Sequence, residues 1–323
     1  MEKLMRVSFK PFIRSKKDKD SIIRDVFIAL LPAAGAGIYF YKKEAAYILL
    51  VSLLSSVFFE ALWQKIFKRK ITIKDFSALV TGLLIGLILP PHVPLWLPVV
   101  ANGFAIIIVK QFFGGLGQNI MNPALAAKVF LITSYSSVLI KVSEATEAVT
   151  AASGAEAATE AVTSASGAGA EVATNTLPSL WDIFVGQEIG TIGEVSILAL
   201  FVGFIYLSYR GVIKIHTTVI YLVTCFLFYY FFGKEAMDFE SSLRGIMSGS
   251  IMIAAIFGAN DYATTPMSFV GQVIFAIVAG ILTGLFRIYG YNSEGAYYAI
   301  IIMNLFTPLI DKMVFSKLRR AIV

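Results

Sequence analysis

The sequence predicts an all-α polytopic membrane protein of about ten transmembrane helices, with broken helices near the cytoplasmic side. Three observations carry that expectation. The 323-residue chain is 57% hydrophobic and only 15% charged, with a mean hydropathy of +0.77, whereas a soluble chain carries about 25% charged residues. Apolar runs approaching the roughly 20 residues needed to cross a bilayer recur from end to end. One of them is interrupted at Phe112 to Ala127, FFGGLGQNIMNPALAA, by three glycines, two asparagines and a proline. Hydrocarbon offers no partner to free backbone N–H and C=O groups, so irregular chain at membrane depth must be buried in protein or line a wet cavity. Broken helices of this kind often hold a ligand or ion.

Residues 1–21 form a basic N-terminal segment with Arg14, Lys16, Lys17 and Lys19. It is expected on the cytoplasmic side by the positive-inside rule, and it is polar for too long to be a cleavable signal peptide. The first membrane half, 22–140, opens with spans at Ile22–Tyr41 and Ala45–Trp63, and Lys65, Lys68, Arg69 and Lys70 return the chain to the cytoplasm. A short span at Phe76–Leu89 ends in LPPHVPLWLP, where proline cannot continue a helix. His92 reads as a turn residue there, and Trp96 fits an aromatic belt. Val99–Val109 leads back to the interrupted stretch, flanked by Lys110 and Lys128 and expected on the cytoplasmic side, and Leu125–Ile140 goes out again.

Residues 141–194 are expected to form an extracytoplasmic, low-complexity loop. The segment Thr146–Ala155 recurs as Thr159–Ala168; two copies are too few for a solenoid, and too little is apolar to fold a core. The loop closes with LPSLWDIFVG and the glycine-rich turn GQEIGTIGE. The second membrane half, 195–316, holds spans at Val195–Tyr209, Thr217–Phe232, Ile246–Ala259, Val270–Leu285 and Ala296–Phe315. The cytoplasmic C-terminus, 317–323, carries Lys317, Arg319 and Arg320. Ten spans place both termini inside. They divide into two five-helix halves, and an odd-numbered repeat would be inverted in the membrane.

Composition removes several chemistries. One cysteine, Cys225, excludes an intrachain disulfide, and two histidines cannot build the usual metal or triad sites. Gly114-Gly115-Leu116-Gly117 follows a membrane span and lacks dinucleotide-loop spacing. What remains are polar residues within or at the ends of spans: Asp25, Glu60, Asp75, Asn102, Asn119, Asn122, Asp261, Glu294, Asn304 and Asp311. Such residues are costly in a membrane and often mark sites. Asp25, Glu60, Asp75 and Asp311 lie near basic residues at span ends and read as interfacial ion pairs. Asn119 and Asn122 can cap freed backbone or contact a ligand. Asp261, with Thr264, Thr265 and Pro266, can start a helix, or the same donors can hold a phosphate or a flavin edge.

Long stretches then match a known family. DFSALVTGLLIGLILPPHVPLWLPV, VKQFFGGLGQNIMNPALAA, DIFVGQEIGTIGEVS and RIYGYNSEGAYYAIIIMNLFTPLID, in order over nearly the whole chain, closely resemble RnfD, the D subunit of the Rnf complex, a family homologous to NqrB. The resemblance implies a membrane subunit of an ion-translocating ferredoxin:NAD⁺ oxidoreductase in a bacterial or archaeal cytoplasmic (inner) membrane. It implies as partners the other Rnf subunits: membrane subunits, the FMN-carrying RnfG and iron–sulfur subunits. It also implies an FMN joined by a phosphoester to a threonine in an extracytoplasmic loop, and a noncovalent riboflavin within the membrane. The family's anchor pattern, Asp-x-x-Ser/Thr-Gly/Ser-Ala-Thr, is not intact here. Ser153-Gly154-Ala155 is followed by Glu156, and Ser166-Gly167-Ala168 by Gly169. Val172-Ala173-Thr174 keeps only the Ala-Thr. Thr174 and then Ser166 are the candidate anchors. The flavin or ion site is expected at Gly114, Gly115, Gly117, Asn119 and Asn122 together with Asp261, Thr264 and Thr265. The alternatives are a non-redox secondary transporter or channel, and a scaffold subunit of a redox complex.

Overall fold

The computed structural model describes residues 19–69, 75–143, 180–186, 190–233, 237–290 and 294–322, with side chains to Ser316. Thr174, Ser166 and most of the 141–194 loop lie outside the described residues. Among those described, every regular element is helical.

Helix α1, Lys19–Ile66, has 48 residues, about 72 Å at 1.5 Å per residue and more than twice a hydrocarbon core of about 30 Å. One straight crossing is therefore excluded. Lys42 breaks it with non-helical φ 50° and ψ −120°, giving the two expected spans. Helix α2, Ser77–Leu87, and α3, Trp96–Gly103, are short. α3 continues as a π-helix over Phe104–Gln111. Then come α4, Pro123–Ser134, and α5, Ser136–Ser143, which turns away by 93°. After the short α6, Leu180–Val185, α7 covers Ile197–Tyr209 and α8 Ile215–Phe232. Helix α9, Phe239–Met247, meets α10, Ile251–Ile253, at 68°, and α10 continues as a π-helix over Ala254–Gly258. Helices α11, Phe269–Ile288, and α12, Gly295–Ile322, complete the chain.

Four of these helices are long and apolar enough to cross a membrane, or six if each bent pair counts as one span. Taking α1 as two and adding the shorter apolar helices Ser77–Leu87, Trp96–Gln111 and Ile197–Tyr209 gives ten apolar helical segments, but these three are shorter than the roughly 20 residues of a full crossing. The surface is apolar, as lipid requires. Val219, Val223 and Leu227 form an exposed stripe on α8, and Ile274, Ile277, Val278 and Ile281 another on α11. Inside, alanines and aliphatics such as Ala29, Leu87, Ala101, Leu125, Ala255 and Ile300 make one continuous core. Cys225 belongs to that core, with its Sγ 3.6 Å from the Gly280 carbonyl oxygen on α11.

The irregular segments meet in pairs. At one end of the bundle, Ile192 N–H donates to Leu89 O at 3.0 Å and Gly193 N–H to Leu87 O at 2.8 Å, so the 190–196 turn is pinned to the chain leaving α2. At the other end, the basic end where Arg210 closes α7 and Lys214 precedes α8, the 112–122 and 259–268 breaks face one cleft. Lys110 and Lys128, expected as flanking cytoplasmic cations, are instead fully buried and paired with Glu60 and Glu294. Burying an ammonium is too costly without a carboxylate beside it, and each helix supplies one from a distant part of the chain.

Candidate cofactor and ion site

The first break begins where the π-helix runs out, with Phe112 N–H donating to Ile107 O at 3.1 Å. The next turns need backbone angles that L side chains rarely adopt: Gly114, Gly115 and Gly117 have φ of 116°, 98° and 83°. Gly115 N–H returns to Lys110 O at 3.0 Å and Gln118 N–H to Gly115 O at 3.2 Å, so the turn satisfies part of its own backbone. Asn122 then starts α4 as its N-cap. Its Oδ1 accepts from Ala124 N–H at 3.0 Å and Leu125 N–H at 3.3 Å, and Pro123 occupies the first turn, where its missing N–H costs nothing.

The second break is organised by two adjacent residues. Asn260 Nδ2 donates to Thr218 Oγ1 at 2.6 Å and to the Ala255 and Ile256 carbonyls at 3.0 and 3.3 Å, satisfying backbone freed by the π-helix. The Asp261 carboxylate accepts from Ala263 N–H at 3.3 Å, Thr264 Oγ1 at 3.1 Å and the Asn122 side chain. Thr265 Oγ1 donates to the Asp261 carbonyl at 2.8 Å. Burial pushes the Asp261 carboxyl above the usual carboxylate range, and the three hydrogen bonds offset part of that rise.

Between the breaks lies a cleft enclosing about 870 Å³ of empty space, its mouth included. Its walls are Ile23, Val26, Leu30, Val80, Leu84, Leu207, Ile256 and Phe257, and its polar groups are Ser77, Thr81, Lys110, Asn119, Asn122, Asn260 and Asp261. Of the expected site residues, Asn119, Asn122 and Asp261 line this cleft. Gly114, Gly115 and Gly117 shape the turn beside it without lining it, and Thr264 donates to Asp261 without lining it either. Thr265 lines an adjoining cavity with Pro266 and Gln272. Asn119 Oδ1 is buried with no partner among the described residues. So the asparagines divide: Asn122 caps a helix and touches Asp261, while Asn119 has a group to spare for a ligand.

Lys110 is a cleft residue that the sequence alone does not single out. Its Nζ donates to Glu60 Oε1 at 2.8 Å and Ser77 Oγ at 2.7 Å, and Gln111 and Gln64 also donate to Glu60 Oε1, at 3.1 and 3.4 Å. Glu60 is thus a deep partner of a cleft-lining cation, not half of an interfacial pair. Asp25 does pair near a helix end, with Arg210 at 2.9 Å. Asp75 caps Ser77, and Asp311 accepts from Met267 N–H at 3.3 Å. Among the described residues no group of three or more His, Cys, Asp or Glu is placed to hold a metal ion.

Polar groups gathered at paired breaks of a helical membrane protein, with a buried ion pair in the wall, are features that often mark a ligand or ion site. Comparison narrows the class. The family model described as NQR2, RnfD, RnfE matches residues 6–319, and the chain belongs to that family. It is 40% identical over 319 residues to the D subunit of the Na⁺-translocating ferredoxin:NAD⁺ oxidoreductase complex of Acetobacterium woodii, covering 98% of this chain and 94% of the relative. It is 34% identical over 316 residues to the D subunit of the proton-translocating ferredoxin:NAD⁺ oxidoreductase complex of Clostridium ljungdahlii, covering 96% and 94%. The D subunit of an ion-translocating oxidoreductase complex from Halorhodospira halophila is 29% identical over 328 residues, covering 93% and 91%.

Proposed function

We propose that this chain is the D subunit of an ion-translocating ferredoxin:NAD⁺ oxidoreductase complex in a cytoplasmic membrane, and that it holds a flavin in the cleft between its two breaks. The observation that carries the flavin reading is the gathering of Asn119, Asn122, Asp261 and Lys110 in a cleft whose remaining walls are largely apolar. A flat heteroaromatic ring with a polar edge suits that division. A bound riboflavin would supply one- and two-electron redox chemistry.

The chain's own residues contribute the rest. The aliphatic walls exclude water. The unpartnered Asn119 amide oxygen can accept a ring N–H. Lys110, held by Glu60 and Ser77, would present a donor and a cation to a group bound in the cleft. Asp261, its carboxyl raised by burial, can hold a proton beside the cleft. A second flavin, FMN, is proposed on the loop, esterified to Thr174 or, failing that, Ser166. The family resemblance and the hydroxyls support it. Coupling to Na⁺ or H⁺ movement is proposed from relatives named for each ion.

The test uses the assembled complex. Ultraviolet fluorescence of the denatured chain on a gel reads covalent flavin, and the mass of the fluorescent peptide reads its anchor. Extraction of the native protein reads riboflavin. Asn122→Ala and Asp261→Ala are expected to impair coupled transport while leaving membrane insertion intact. Wild-type electron transfer and ion flux in both variants would exclude the cleft as the working site.

A further inference from the structure

A second buried charge cluster lies at the end of the bundle opposite the cleft. Glu194, in the turn pinned to Leu87 and Leu89, is 5% exposed. Its Oε1 accepts from Tyr297 OH on α12 at 2.8 Å, and its Oε2 from Thr191 N–H at 3.4 Å. Lys128, in the second turn of α4, has a fully buried side chain with Nζ 2.7 Å from Glu294 Oε1, at the start of α12. Glu194 senses both Glu294 and Lys128 electrostatically. From α8, Tyr221 also faces this region, but it is neutral and hydrogen-bonded to Thr283 at 2.8 Å.

The charges do not balance. Two carboxylates and one ammonium leave one surplus negative charge; the Glu294 side chain is 21% exposed, but Glu194 and Lys128 are buried, and a buried charge without a partner is too costly to persist. One acceptor is also left over: Glu294 Oε2 has no hydrogen-bond partner among the described residues, and the Thr191 side chain stands beside Glu194. Hard cations take oxygen ligands of this kind. Seven residues beyond Tyr297, two turns along the same face of α12, the Asn304 amide is 1% exposed and neither of its polar atoms is partnered among the described residues.

We propose that Glu194 and Glu294, held by Lys128, Tyr297 and Thr191, bind one monovalent cation, Na⁺ or H⁺. This deepens the ion-translocation part of the proposed function and rests on it. Lys128 fixes the stoichiometry at one, because it already neutralises one of the two carboxylates. Removing a carboxylate must therefore weaken cation binding, and removing the lysine must strengthen it.

The test is NAD⁺ reduction by ferredoxin in the complex reconstituted into vesicles, titrated with Na⁺ and with pH. Glu194→Gln and Glu294→Gln are each expected to raise the half-saturating cation concentration about tenfold or more, and Lys128→Gln to lower it by a similar factor, since each step changes the site by one unit charge at close range. A shift in the Na⁺ titration identifies Na⁺; a shift confined to the pH midpoint identifies a proton. Unchanged cation dependence in both glutamine variants overturns the proposal, and so does weakening in all three variants, the mark of a purely structural role. Should the variants not assemble, infrared difference spectra of the wild-type complex serve instead. Na⁺ addition or a pH step must perturb a carboxyl band, and a silent spectrum overturns the site. If the wild-type complex lacks ferredoxin:NAD⁺ activity, the proposed function fails, and the infrared measurement still decides the site.

Discussion

Replacing Asn122 separates its two tasks. Its Oδ1 caps α4 through two N–H groups at 3.0 and 3.3 Å, while its side chain also hydrogen-bonds the Asp261 carboxylate. Asn122→Ala loses the cap, about 1 kcal/mol, and a hydrogen bond to a charged group, about 1.5–3 kcal/mol, for a total of about 2.5–4 kcal/mol. Asn122→Ser restores a capping oxygen and recovers only the first part. Asn122→Asp keeps the cap and favours the helix dipole, but it sets a second carboxylate against Asp261. Two charges about 4 Å apart at an effective dielectric constant of about 20 repel by about 4 kcal/mol, so one of the pair takes up a proton in the folded state. Its folded pKa then lies above the unfolded value of about 3.9. Such a group contributes stability while protonated and loses it as pH rises through the folded pKa. The Asp variant is therefore expected near wild type in mild acid and progressively weaker toward neutral pH, whereas the loss in the Ala variant varies far less with pH. Thermal unfolding in detergent across that range checks it. A flat pH response of the Asp variant, or a Ser variant as stable as wild type, would refute the Asn122–Asp261 contact.

The buried pair below the cleft makes a second case. Lys110→Met leaves Glu60, 1% exposed, with amide donors alone and is expected to cost about 3–5 kcal/mol, while the double variant Lys110→Met/Glu60→Met recovers most of it because no buried charge is stranded. Chemical denaturation of the three variants reads the cycle, and additive losses would argue against a coupled pair. In the 112–122 turn, Gly115→Ala forces a side chain onto φ 98° and is expected to lower stability by about 1–2 kcal/mol. Gly35→Ala, in helical α1 with nothing within 4 Å of the added carbon, is expected to raise it by about 0.5–1 kcal/mol. Opposite shifts in unfolding temperature are the result to look for.

What the chain discloses in advance follows from how local each signal is. A membrane helix is set by its own apolar run, so the segments are legible even where α2 and α7 prove short. The breaks are legible too, because glycine, proline and asparagine act on their own backbone. Long-range pairing is not. Lys110 reaches a glutamate 50 positions away, and Tyr297 one 103 positions away. From sequence, a lysine beside a glycine-rich break reads as an interfacial flank, and both Lys110 and Lys128 have that appearance. Glu194 is hidden inside GQEIGTIGE, which looks like a turn. Asn260 stands next to Asp261 and gives no signal because its task is to satisfy π-helical carbonyls, and a π-helix has no sequence signature of its own. A carboxylate within a glycine-rich break at membrane depth is the available clue to Glu194.

The two polar regions are not independent pieces of the bundle. Helix α4 begins at the cleft with Asn122 and carries Lys128 six residues later, about 9 Å along its axis. Helix α2 begins with Ser77, whose hydroxyl accepts from Lys110, and ends at Leu87, whose carbonyl accepts from Gly193 beside Glu194. Both helices are short, buried along most of their length and packed against each other, so neither can shift at one end without moving its other end. The cleft and the Glu194–Glu294 cluster thus share two helices, α2 and α4, and the 112–122 break both walls the cleft and joins the π-helical end of α3 to the start of α4.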